Sequence, residues 1–287
     1  MNEEKPKIYR DPGAWLKYQR GRPVVSVLRL EGVIATGRGG PLRPGSLNLA
    51  ALNSQIEQAF KPKRLSAVAL QINSPGGSPV QSALIADAVR RKAVKKGVPV
   101  LAFAEDVAAS GGYWLMTAGD ELYVHPASIV GSIGVIYAFF GFQELMQRHG
   151  VERRIHTAGE RKVMLDPFSP EREEDVERLG RMQEQIHQQF IDQVKARRSD
   201  KLNRRRYKEI FSGDVFVGEE AVRLGLVDGL GVMDQVLREK FGEHLILKRI
   251  SVKSSPLRRL LGGARRDIAA DALASIDDRL AWNRFGL

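Results

Sequence analysis

Residues 65–96 read LSAVALQINSPGGSPVQSALIADAVRRKAVKK. Residues 65–73 are nearly continuously apolar, as in a strand covered on both faces. Residues 78–96 open on Ser78-Pro79 and stop at Gly97, the start and stop signals of a capped helix. Between them lies Asn73-Ser74-Pro75-Gly76-Gly77-Ser78, whose paired glycines allow unusual φ values and a close approach of backbone N–H groups to a ligand. Strand, glycine turn and helix in that order are the unit from which parallel α/β sheets are built.

The same texture extends outward from this unit. Strands are expected over 24–34, 98–105, 120–126 and 152–158, and a helix over 47–60 after the N-cap candidate Ser46. Past Ser169-Pro170 a long, charged helical segment is expected over about 170–198. Residues 214–231 then read as strand, helix and strand, with Gly225 and Gly229 at turns. The division that follows is an N-terminal extension (1–23), an α/β domain with a largely parallel sheet and a helical arm (24–251, arm about 170–210), and a basic linker with an amphipathic helix (252–287, helix 266–283).

Composition narrows the chemistry. The 287 residues are 43% hydrophobic, enough for one large core or two modest ones. With Cys at zero there is no disulfide, thiolate metal site or cysteine nucleophile, so covalent catalysis falls to Ser, Thr, Lys or a carboxylate. Residues 1–24 hold charges throughout and no apolar core of the signal-peptide kind, which predicts a cytoplasmic chain. The uncharged stretch 122–143 has nearly the length of a membrane span. His125, Pro126, Gly131, Gly134 and Gly141 interrupt it, so it reads as a buried strand, a glycine turn and an apolar helix start. The net charge of +11 is concentrated in Lys195–Lys208. Lacking a zinc-finger, RNP or KH motif, that run reads as a solvated face rather than a nucleic-acid surface, with peripheral membrane contact as the alternative.

A second informative turn is Ala108-Ala109-Ser110-Gly111-Gly112-Tyr113-Trp114, after the strand at 98–105. A Ser at a glycine-bordered strand-to-helix turn can expose its hydroxyl while the next N–H faces an oxyanion. Both turns fall at the carboxyl ends of successive parallel strands, the edge where open α/β sheets bind ligands. Gly77 and Gly111 are the natural pair of oxyanion donors, with Gly76 as the alternative. Gly76, Ser78 and Gly112 are expected beside the substrate. A Ser nucleophile needs a base, and of the five His residues only His156 is placed to approach. A Ser-Lys dyad is the remaining common solution.

Taken in order, NSPGGS (73–78), ASGGYW (109–114), GSIGV (131–135), TAGERKVMLDPF (157–168) and FSGDVFVGEEAVRLGLVDGLG (211–231) resemble the signal peptide peptidase A family of serine proteases, over about Val24 to Lys240. The resemblance implies a Clp/crotonase-type fold and a serine endopeptidase acting on unfolded or signal-peptide-like substrates, with no metal or cofactor. It assigns Ser110 as nucleophile, Lys162 as general base and Ser132 as the hydroxyl that orients the lysine amine. A lysine base needs a desolvated amine, for which Val163-Met164-Leu165 offers an apolar wall. Family members commonly carry a membrane anchor, and many are tandem copies. Neither feature is read in this chain, so the dyad is expected within one copy of the fold, and a homo-oligomer is implied by the ring-forming relatives. Two other functions compete: a crotonase-type acyl-CoA enzyme, and a non-catalytic scaffold on a membrane or nucleic acid.

Overall fold

The computed structural model describes residues 21–36, 46–159, 162–251 and 279–286. In chain order its elements are β1 (Val24–Glu31), α1 (Leu49–Ala59), β2 (Leu65–Ser74), α2 (Pro79–Lys96), β3 (Val100–Ala109), α3 (Gly111–Met116), β4 (Glu121–Val124) and β5 (Ile129–Gly131). Then follow α4 (Gln143–Arg148), α5 (Glu173–Arg198), α6 (Tyr207–Ile210), β6 (Val215–Val217), α7 (Gly218–Arg223), β7 (Gly229–Leu230), α8 (Met233–Phe241) and β8 (Ile246–Arg249).

The strands join in the order β6-β5-β3-β2-β1-β8, and β4 and β7 branch from β3. Every pairing is parallel except β5 with β6. One edge of β3 serves two partners: Leu101–Ala104 pairs with β4 and Val107–Ala109 with β5. That split turns the end of β3 away from β4 and leaves Ser110 at the fork.

Alternation along the strands builds two cores. Leu28, Leu30, Leu70, Ile72 and Ala102 face the larger one, closed by α1, α2, α3 and part of α5. Val25, Val27, Ala69, Leu101 and Phe103 face the smaller one, closed by Met233, Val236 and Leu237 of α8. Both faces of the central strands are therefore dry, which explains their unbroken apolar sequence. Helix α2 follows its signals closely, with Ser78 as N-cap, Pro79 in the first turn and Gly97 in the left-handed conformation at the C-terminus. The cap of α1 is Asn48, whose side chain accepts from the Ala51 N–H at 2.9 Å, rather than Ser46.

Several expectations change. Residues 152–158 form no strand, and the outer edge of β5 is paired with β6 instead. In the stretch 122–143 the strands β4 and β5 are present, but no helix starts until Gln143; residues 135–142 are irregular and largely exposed. Gly229 lies in β7 rather than at a turn, while Gly225 does turn, with φ +76°. The helical arm ends at Arg198. The predicted C-terminal helix 266–283 falls mostly outside the described residues, of which 279–283 are helical.

The basic run is largely engaged within the fold. Arg197 donates to the carbonyls of Thr117 and Gly119 at 2.9 Å each. The buried Arg198 holds Gly225 and Asp228, and Lys201 also holds Asp228. Lys195 lies 5.4 Å from the ring centres of both Tyr207 and Phe211. Among the described residues no helix is long and apolar enough to cross a membrane.

Candidate active site

Two glycine turns meet at the fork in the sheet. In the β2–α2 turn Gly76 and Gly77 have φ of +107° and +136°, conformations that favour glycine. The Gly76 carbonyl accepts from the Ile34 N–H at 2.8 Å, and the Ser78 N–H donates to the Ile34 carbonyl at 2.7 Å. Gly77 thus lies flat on Ile34, where a Cβ would collide with the Ile34 carbonyl oxygen. Its own N–H is left over, with no acceptor among the described residues.

In the β3–α3 turn Ser110 has φ +51° and ψ −122°, a conformation sparsely populated by L-residues and costing about 1–3 kcal/mol. It is held there from both sides: the Ser110 N–H donates to the Gly131 carbonyl at 2.8 Å, and its carbonyl accepts from the Trp114 N–H at 3.0 Å. Gly111 opens α3, so its N–H has no partner within the helix. The two turns are pressed together. A Cβ at Gly76 would lie 2.8 Å from Ser110 Cβ and 2.9 Å from the Gly111 nitrogen; one at Gly111 would lie 3.3 Å from the Gly77 nitrogen. The N–H groups of Gly77 and Gly111, which have no backbone acceptor among the described residues, thus belong to two turns packed against each other at Ser110.

Ser110, Gly76, Gly77 and Ser78 line a cavity of about 490 Å³. Its walls are mostly apolar, with Val33, Val135, Ile136 and Met164 on loops and Leu179, Met182 and Ile186 on one stripe of α5, joined by Gln183 of α5 and by Ala281 and Arg284 near the C-terminus. Sequence reasoning missed that stripe, although its 179, 182, 183, 186 spacing within a charged helix is the signal of one face turned toward other parts of the chain; Leu179 and Ile186 are half-buried and Met182 is exposed. Gly112, expected beside the substrate, instead packs on the Ser74 backbone, where a Cβ would lie 2.5 Å from the Ser74 carbonyl oxygen.

Ser132 is buried beside this cavity with φ +51°, and its N–H donates to the Asp214 carbonyl at 2.6 Å. The histidine that reaches this loop is His187 of α5, with Nε2 2.9 Å from the Ile133 carbonyl; His156 is exposed. Since a carbonyl only accepts, Nε2 carries the proton in this contact.

Lys162 is not brought onto Ser110 within the isolated chain. It is exposed, it is absent from the lining of the cavity, and its side chain makes no hydrogen bond or ion pair among the described residues. Its backbone is nonetheless fixed, through its N–H to the Gly159 carbonyl at 3.1 Å. Two residues on, Met164 forms part of the cavity wall. Beyond it, Asp175 at the start of α5 is buried and paired with the exposed Arg172. Burial alone would raise the Asp175 pKa, but the hydrogen bonds from Arg172 and the neighbouring Arg172 and Arg178 charges outweigh it and hold the carboxyl below its ordinary value. Among the described residues no group of side chains could hold a metal ion.

Comparison with known proteins places this geometry among relatives. Residues 92–244 match the model of peptidase family S49. Over 275 residues the chain is 48% identical to a Brucella abortus protein named Na(+)/H(+) antiporter NhaA, covering 92% of this chain and 37% of that protein. It is 29% identical over 211 residues to a putative signal peptide peptidase SppA of Enterococcus faecium, covering 73% of this chain and 60% of that one. It is 32% identical over 185 residues to a putative protease of Methanocaldococcus jannaschii, with 64% and 58% covered. The chain thus spans between 37% and 60% of the length of these relatives. Among solved structures, a variant of the 1510-N membrane-bound stomatin-specific protease aligns with a TM-score of 0.51 at 12% identity, covering 80% of this chain and 98% of that one. That likeness establishes the fold, a Clp/crotonase-type α/β architecture with a mostly parallel sheet.

Proposed function

The chain belongs to peptidase family S49, and from that premise we propose that it is a serine endopeptidase whose nucleophile is Ser110 and whose general base is Lys162. The observation that carries the reading is the strained Ser110 at the β3–α3 turn, flanked by the unused N–H groups of Gly77 and Gly111. Attack of the Ser110 hydroxyl on a peptide carbonyl puts negative charge on the carbonyl oxygen, which these two donors stabilise. The amine of Lys162 takes the Ser110 proton, returns it to the leaving amine and then activates water for deacylation. Ser132, close by through the Gly131 contact with Ser110, orients the lysine amine.

The apolar cavity beside Ser110 suits small or apolar side chains of an unfolded or signal-peptide-like substrate. A base amine must be shielded from water, and in the isolated chain Lys162 is exposed. The proposal therefore includes a homo-oligomer in which a second copy covers this face and brings Lys162 to a Ser110 hydroxyl. The exposed Ile136, Tyr137 and Phe140 on the same side supply apolar surface for that contact.

The test is labelling with a fluorophosphonate, followed by peptide mapping, together with cleavage of a denatured protein. The parent is expected to be modified at Ser110 and to cleave, while Ser110→Ala and Lys162→Ala each lose nearly all cleavage and keep the fold. Cleavage by Ser110→Ala at the parental rate, or a parent that is neither labelled nor active, overturns the reading.

A further inference from the structure

The segment bearing Lys162 is anchored from the first turn of α5. Arg172 Nη2 donates to the Val163 carbonyl at 3.0 Å. The same guanidinium gives Nε and Nη2 to Asp175 Oδ2 at 2.9 and 2.7 Å, and its Nη1 lies 3.2 Å from Glu174 Oε1. Asp175 is only 3% exposed and cannot swing away, so the guanidinium plane is fixed by a buried carboxylate rather than by solvent. Leu165, also buried, turns with φ +51°, and Asp166 is held by Arg153 and by Ser169 Oγ at 2.9 Å.

We infer that Arg172, oriented by Asp175, is a positioning residue for Lys162. The lysine sits between two backbone anchors, its own N–H on Gly159 and the following Val163 carbonyl on Arg172, with Met164 seated in the cavity wall. An exposed four-carbon side chain finds its target only if its Cα is placed, and these contacts place it. A guanidinium suits the task because one planar fork can hold a carbonyl and a carboxylate together, which a lysine at position 172 could not do in the same geometry. The inference rests on Lys162 being the base, as proposed above.

A double-variant cycle tests it, read as the rate at which a fluorophosphonate modifies Ser110, a rate measurable in slow variants. Parent, Arg172→Ala, Lys162→Ala and the double variant are compared as full chains, with and without methylamine, and peptide cleavage supplies kcat and KM. Arg172→Ala is expected to lower kcat about 10–100-fold with KM changed less than about twofold, since a misplaced base costs the chemical step rather than binding. On the Lys162→Ala background the same change adds nothing, and methylamine restores the single and double variants to equal rates. Asp175→Asn, which loosens the guanidinium with minimal change of shape, gives a smaller loss in the same direction and serves if Arg172→Ala does not fold. Additive losses in the double variant, or Arg172→Ala and Asp175→Asn at the parental kcat, overturn the inference. Parental labelling of Lys162→Ala would instead overturn the assignment of the base.

Discussion

The strain at Ser110 and the crowding of the two glycine turns have one cause. In the proposed site two N–H groups stand next to a hydroxyl at a strand end, and at this spacing the backbones leave no room for side chains. Gly76→Ala tests this directly. Its Cβ would meet Ser110 Cβ at 2.8 Å and the Gly111 nitrogen at 2.9 Å, in a conformation that L-residues rarely adopt. The nucleophile and an oxyanion donor should both be displaced, with kcat falling by about 100-fold or more. Gly97→Ala is the control, because Gly97 is also left-handed, at φ +65°, but faces open space at the end of α2. It should lose about 1 kcal/mol of stability and keep its kcat. Denaturation midpoints and kcat for both variants check the pair; equal kcat in the two would show that the close approach has no catalytic consequence. These turns were legible in the sequence, since paired glycines at strand ends have few other uses. The position of the Lys162 side chain was not, because an exposed lysine between Arg161 and Val163 carries no periodic or turn signal.

Elements were read well where one force fixed them and poorly where a neighbour decided. The central strands and α2 declare themselves through apolar runs and caps. Residues 152–158 have strand-like composition yet pair with no strand, while the edge of β5 is taken by β6 from much further along the chain. The arm α5 was read as a long charged helix, and within the chain it walls the cavity with Leu179, Met182 and Ile186 and stacks Phe190 on Trp114 with ring centres 4.8 Å apart. Its C-terminal end is tied to the sheet by Asp228, which accepts from Arg198 at 2.8 Å, from Lys201 at 2.6 Å and from the Leu122 N–H at 2.8 Å. Burial would raise the Asp228 pKa, but Arg198 and Lys201 lower it more, so the carboxyl titrates below its ordinary value. A depressed pKa contributes stability that is complete above the unfolded value of about 3.9 and disappears as pH falls through the folded one. Asp228→Asn should therefore cost roughly 3 kcal/mol at pH 7, where it leaves the buried Arg198 without its counter-charge, and clearly less at pH 3. Urea unfolding of parent and variant at the two pH values measures the gap, and a gap independent of pH would show that the pairing of charges contributes nothing.

For the molecule as a whole, the exposed surface around the site poses the question. Ile136 is 67% and Phe140 69% exposed, and Tyr137, Phe139 and Leu145 are exposed with them, an apolar group of the kind that marks an interaction surface. On the same side Lys162 stands in solvent, although the proposed chemistry needs it dry. A second copy laid on this face resolves both at once, burying the aromatics and shielding the amine. If the dyad forms between copies, two inactive variants complement each other: the Lys162→Ala chain still offers Ser110, and the Ser110→Ala chain still offers Lys162. Unfolded together, refolded as an equal mixture and assembled at random, they should regain about a quarter of the parental activity, since each site draws its serine and its lysine independently. A dyad confined to one copy regains nothing, because neither chain holds both groups. Phe140→Asp should dissociate the assembly, as followed by light scattering, and lower activity in proportion. Full activity in a Phe140→Asp monomer, or no recovery in a mixture shown to co-assemble, would return the dyad to a single chain and require the Lys162 segment to fold onto Ser110 when substrate binds.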